Sequence, residues 1–250
     1  MERRGRAVLA STLVALALAM GCQRGEKAGL PPTPIDPTTI GTITGEVRFT
    51  GTPPAQTELS FGSVAECKAK HEGPLLAGDV LVADGKVQNA IVYVSSGLGE
   101  RVFAVPEEPV VIDQEGCLFV PRVAAAQVGQ PIRFLNSDPL AHNVRGKPKA
   151  GGGWNLSLGM KGAARTVEVA EPDPLIVLTC DIHPWMKAYL GIFPHPYFAV
   201  TGADGRFMLE RVPAGEHEIT VWHERLGTTT VQVTLEAQSQ ADVTVTLGGE

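Results

Sequence analysis

Between Gly41 and Leu247 the chain is cut into short apolar runs, each ended by glycine, proline, asparagine or aspartate. That cadence constrains the fold more than any other feature. The runs are NAIVYVS (89–95), EPVVID (108–113), CLFVPRV (117–123), QPIRFLN (130–136), RTVEVA (165–170), PLIVLT (174–179) and AYLGIF (188–193). They have strand length, and no extended helical periodicity links them. GTITGEVRFTG (41–51) alternates as a strand does and ends in a Gly-Thr-Pro-Pro turn. Further on, Ala-Asp-Gly and Pro-Ala-Gly turns separate alternating segments in 199–224, and 229–247 reads as another strand pair. One short helix is expected, where Ser63-Val-Ala-Glu66 has capping-box spacing. The chain is read as all-β, built of Greek-key β-sandwiches.

The N-terminus bears on compartment. MERRGR is a basic head, and AVLASTLVALALAMG is an apolar run too short to span a bilayer, so residues 1–21 read as a secretory signal peptide. LAMGC resembles the bacterial lipobox, which implies lipid attachment at Cys22 and a periplasmic or cell-envelope location, at the outer membrane in a Gram-negative cell. Residues 22–40, rich in Pro, Gly and Thr, read as a flexible tether. The chain has 21 basic and 27 acidic residues; without Arg3, Arg4, Arg6 and Glu2 it keeps 18 and 26, a net charge of −8. Such an acidic body has no electrostatic attraction for nucleic acid, and the only membrane contact expected is the lipid.

Chemistry concentrates in CDIHPWM, which puts Cys180, His183 and Met186 within seven residues behind a strand. A thiolate, two imidazoles and a weak thioether are the donors that suit a mononuclear copper ion cycling between two oxidation states. His142, in a loop after QPIRFLN, is the candidate second imidazole. Each residue has a plainer reading: Cys180 as a buried thiol, the histidines as hydrogen-bonded loop residues, Met186 as core filler. Zinc suits the donors, but a lone thiolate with a thioether is an uncommon structural zinc set.

Residues 105–195 resemble a cupredoxin, the blue-copper fold, of the amicyanin and plastocyanin type. The resemblance rests on V-G-x-P-I-x-F-x-N-S-D-x-x-x-H-N-V (128–144) and Cys-x-x-His-Pro-Trp-Met (180–186). It implies one type 1 copper held by His142, Cys180, His183 and Met186, with Asn143 steadying the cysteine loop by hydrogen bonds. It further implies electron transfer through the His183 edge, with Pro184 and Trp185 in a small docking patch for periplasmic redox proteins. A dinuclear site would need a second cysteine in this loop. Four protein ligands leave no open position, and no nucleophile–base or carboxylate pair has recognisable spacing, so catalysis is not expected.

With Cys22 and Cys180 given roles, Cys67 and Cys117 are most simply a disulfide. The rival reading makes Cys67 and His71 part of a second metal site. His195, between two prolines, marks the exit from the copper domain; His217 and His223 read as ordinary surface or edge residues, and Trp222-His223-Glu224 suggests no chemistry. VTGADGRFMLERVPAGEHEITVW resembles the carboxypeptidase regulatory-like, or transthyretin-like, β-sandwich. The resulting expectation is a sandwich of 41–100 with 197–248, into which the copper domain (101–196) is inserted. The alternative is 41–196 followed by a separate module at 197–248. Two other functions stay open: a copper-holding or delivery protein, and an envelope interaction module in which copper is a structural element.

Overall fold

The computed structural model describes residues 30–248; the expected signal peptide, Cys22 and most of the tether lie outside the described residues. The described end of the tether is not loose, as expected, but tied down. Thr33 donates its N–H to the Val102 carbonyl (2.8 Å), and its hydroxyl accepts the Val102 N–H (3.0 Å). Asp36 then caps a single 3-10 turn at Pro37–Thr39.

β1 (Ile40–Phe49) is followed by α1 (Ala65–Lys68), β2 (Val82–Ala83), β3 (Lys86–Val87) and β4 (Ile91–Ser96). The middle of the chain forms β5 (Val110–Glu115), β6 (Leu118–Val120), β7 (Val123–Gln127), β8 (Ile132–Asn136), β9 (His142–Gly146), β10 (Trp154–Leu158), β11 (Ala164–Val167), β12 (Asp173–Thr179) and β13 (Lys187–Phe193). β14 (Phe198–Val200), β15 (Arg206–Pro213), β16 (Gly215–His223), β17 (Gly227–Leu235) and β18 (Gln240–Leu247) complete it. The helix is one turn long. The capping box is not formed: Val64 holds the cap position with no side-chain hydrogen bond, and the Ser63 carbonyl takes the Ala65 N–H.

Four sheets result. Two have the orders β10-β9-β12-β13-β7 and β11-β8-β5-β6. Between them lies a core containing Ile112, Phe134, Val144, Leu178, Cys180, Met186 and Leu190. The other two are β14-β4-β16-β17 and β15-β1-β3-β2, with β18 also on β1. They enclose a second core around Ile43, Val92, Phe207, Ile219 and Val245. β1 runs antiparallel to β15 and parallel to β18, so strands from opposite ends of the sequence share one sheet. The stretch containing Phe61 and Cys67 packs in the first core.

β13 explains how the two cores adjoin. Its alternating residues Ala188, Leu190 and Ile192 belong to the first core, while Tyr189 and Phe193 face a third cluster with Ile91 and Val123. A strand buried on both faces must read as a continuous apolar run, as AYLGIF does. Aromatic contacts reinforce this layer: Tyr93–Phe193 at 4.5 Å, Phe193–Phe198 at 5.2 Å and Tyr189–Trp222 at 5.1 Å between centroids. Arg122 donates to both carboxylate oxygens of Glu224 (2.5 and 2.8 Å) beside it. Trp222 and Glu224 therefore act in packing.

Candidate metal centre

Three donor atoms converge at one end of the first core. The Nδ1 atoms of His142 and His183 are 2.9 Å apart, and Cys180 Sγ lies 3.9 Å from His183 Nδ1. All three donors lie within 4.8 Å of one another, on residues that are buried. His142 opens β9 and does not sit in the loop before it, as expected from sequence. β9 pairs with β12, whose end delivers Cys180. Met186 closes the loop: its N–H donates to the His183 carbonyl (2.9 Å), and its carbonyl accepts the Cys180 N–H (3.4 Å). Its side chain is wholly buried in the core that contains Cys180.

The neighbours of each donor are fixed. Asn143 Oδ1 accepts from the Asp181 N–H (2.7 Å), the Ile182 N–H (3.4 Å) and the Cys180 thiol (3.3 Å). Its amide donates to Asn155 and Asp181, so one side chain joins β9, β10 and the cysteine loop. His142 Nε2 lies 3.0 Å from Asp138 Oδ2. A carboxylate can only accept here, which puts the ring proton on Nε2 and leaves Nδ1 with a free lone pair aimed at the other donors. Asp138 also accepts N–H groups from Gly116 (2.9 Å) and Cys117 (2.7 Å), and pairs with Lys70 (2.9 Å). Burial alone would raise the Asp138 carboxyl; the Lys70 ammonium, the Cys117 N–H, His142 and the Gly116 N–H together hold it below the usual carboxylate range.

Burial pulls both imidazoles below the ordinary histidine range. Asp138 opposes this at His142, whereas the His142 charge adds to it at His183. Neutral rings are what metal binding requires. An ion with two nitrogens at about 2.0 Å and a sulfur at about 2.3 Å would space its donors roughly 3.5–3.8 Å apart. The observed S···N edge is close to that. The N···N edge is that of a shared proton and would open by about half an ångström when a cation replaced the proton. The residues fit a soft cation that takes two imidazoles and a thiolate.

The loop surface differs from expectation. His183 is 4 % exposed, Pro184 is exposed, and the exposed apolar residue beside it is Ile182, which the sequence reading did not single out. Trp185 is half-buried: its indole N–H donates to the Cys117 carbonyl (3.0 Å), and its ring meets His183 at 5.1 Å and Phe61 at 5.2 Å. Trp185 is therefore a packing residue first. Asp138 and Lys70 were also missed, although the four-residue spacing of Asp138 and His142 was a usable signal.

Cys67 and Cys117 form a disulfide, which removes Cys67 and Cys117 from any ligand set. His71 stacks on Phe61 and contacts the Gly116 carbonyl (2.7 Å). His217 and His223, expected at the surface, are 1 % and 2 % exposed. They alternate with Ile219 and Val221 along β16 and share its buried face. His217 donates to the Pro213 carbonyl and His195 to that of Val94, and His223 Nδ1 accepts the N–H groups of Arg225 and Leu226.

No protein-family model and no curated protein sequence matches the chain. Among solved structures, a copper-containing nitrite reductase from Thermus scotoductus SA-01 aligns at 23% identity and a TM-score of 0.33. That alignment covers 39% of this chain and 25% of the reductase, so the chain spans about a quarter of its length. A copper(I) form of an amicyanin variant aligns at 18% identity and 0.30, covering 40% of this chain and 97% of amicyanin. A purple cupredoxin from Nitrosopumilus maritimus aligns at 18% identity and 0.29, covering 33% and 98%.

Proposed function

We propose that His142, Cys180 and His183, with Met186 as a weak fourth donor, hold one type 1 copper ion, and that the chain is an electron carrier and not an enzyme. The observation that carries this reading is the convergence of two ring nitrogens and one sulfur from β9 and the 180–186 loop. Bound copper supplies a reversible one-electron couple. The chain supplies the rest: Asp138 orients the His142 ring, Asn143 holds the cysteine loop, and the surrounding core keeps bulk water from the donors. Such fixed donors limit rearrangement between oxidation states. Ile182 and Pro184 form the exposed apolar part of the loop on either side of His183 and suit brief docking of periplasmic redox proteins.

The same reading treats 101–196 as the copper domain, inserted in a sandwich made of 41–100 and 197–248. The pairing of β1 with β15 and β18 supports it, with the amendment that Phe61 to Leu75 pack on the copper domain. Lipid at Cys22 would tether the protein in the envelope; Cys22→Ala should then move it from the membrane to the soluble fraction.

The test is spectroscopic. Residues 23–250 loaded with Cu(II) should give an intense thiolate-to-copper band and a narrow EPR hyperfine splitting, with fast electron self-exchange. A colourless or ordinary tetragonal spectrum rejects the site, and slow self-exchange in a blue protein favours copper storage over electron transfer.

A further inference from the structure

The turn between β5 and β6 has an unusual residue in it. Glu115 pairs with Leu118, and the two residues between, Gly116 and Cys117, both have positive φ (+63° and +58°). This is the two-residue hairpin turn that favours glycine or asparagine. A side-chain-bearing residue is disfavoured there because its Cβ crowds the backbone carbonyl, and such a conformation persists where the surroundings over-determine it.

The surroundings of Cys117 do so, and they lead to both imidazoles. Its N–H donates to the Asp138 oxygen that also contacts His142 Nε2. Its carbonyl accepts the Trp185 indole N–H, and the Trp185 ring lies against His183. Its sulfur is bonded to Cys67 on α1. Residues next to Cys67 reinforce the same point: Lys70 pairs with Asp138, and His71 contacts the Gly116 carbonyl. Resting on the copper reading above, we infer that Cys117 is a positioning residue for both imidazoles. One residue, held in a left-handed turn by its bridge to α1, orients His142 through Asp138 with its N–H and His183 through Trp185 with its carbonyl.

The test compares two double variants of residues 23–250: Cys67→Ala/Cys117→Val, which removes the bridge and disfavours the turn, and Cys67→Ala/Cys117→Gly, which removes the bridge and permits it. Copper(II) affinity is measured by chelator competition. Ring tautomers of His142 and His183 are read in the metal-free protein from long-range ¹H–¹⁵N spectra. The valine variant should bind copper about 10–100-fold more weakly and lose the single Nε2–H tautomer of His142. The glycine variant should recover most of both. Equal behaviour of the two variants, whether both intact or both impaired, overturns the inference. Should neither fold, Trp185→Phe decides, because it removes the indole N–H with the five-membered ring while keeping an aromatic ring beside His183: a changed His183 tautomer population with that of His142 unmoved supports the inference, and unchanged tautomers at both rings overturn it. If wild-type protein takes no copper, the functional reading fails while the tautomer comparison still decides the positioning role.

Discussion

The molecule buries two sets of histidines, and they differ in where their ring nitrogens point. Away from the candidate metal centre His195 and His217 each place Nε2 on a backbone carbonyl, and the His223 Nδ1 accepts two backbone N–H groups. At the candidate metal centre only one nitrogen of His142 is spent on a structural partner, and the Nδ1 atoms of His142 and His183 face each other beside a thiol. Burial is common to both sets, so burial does not mark a site. A spare lone pair does not mark it either, since His217 Nδ1 is also buried without a partner; what marks it is that two ring nitrogens and a thiol converge on one point.

The comparison breaks most visibly at the sulfur. Cys180→Ser should abolish the thiolate-to-copper band entirely, whereas His217→Gln should leave it unchanged; visible spectra of the two loaded variants check this. The next largest effect is on folding. Phe193→Ala empties the layer between the cores and should cost about 3–5 kcal/mol in urea unfolding, in loaded and metal-free protein alike. Asn143→Ala sharpens the contrast, since its amide bridges three elements at the centre only. It should lower metal affinity about 10–100-fold and stability by about 1–3 kcal/mol, read by chelator competition and melting.

Acidification gives the smallest and most even effect. Burial depresses His142, His183, His195 and His223 below the ordinary histidine range, so the folded metal-free protein binds fewer protons than the unfolded chain in mildly acid solution. Stability should be flat with respect to these groups above about pH 6.5 and decline as pH falls below it. His195→Gln should flatten part of that decline without altering copper uptake; a variant that alters uptake would contradict the separation of the two sets.

The sequence made the strands of both cores legible wherever apolar residues ran together, because burial on one or both faces writes itself as alternation or as a run. β9 escaped because HNVRG carries the donor His142, Asn143 and an exposed arginine in place of an apolar run. The donors of the 180–186 loop were legible by type and spacing. The frame behind them was not, because Asp138, Lys70 and the Cys117 peptide meet only through tertiary contacts. The buried histidines of β16 were legible in principle: His217, Ile219, Val221 and His223 fall on one face by twos, and their charged neighbours hid it.

The parallel pairing of β1 with β18 has a consequence for biogenesis. A sheet that joins β1 to β18 cannot close until residues 240–247 have been synthesised, about 200 residues after β1, whereas β5 to β13 pair among themselves over a shorter span. The slow, long-range closure falls on the second sandwich, and the edge of β1 that takes β18 must wait unpaired while the middle folds.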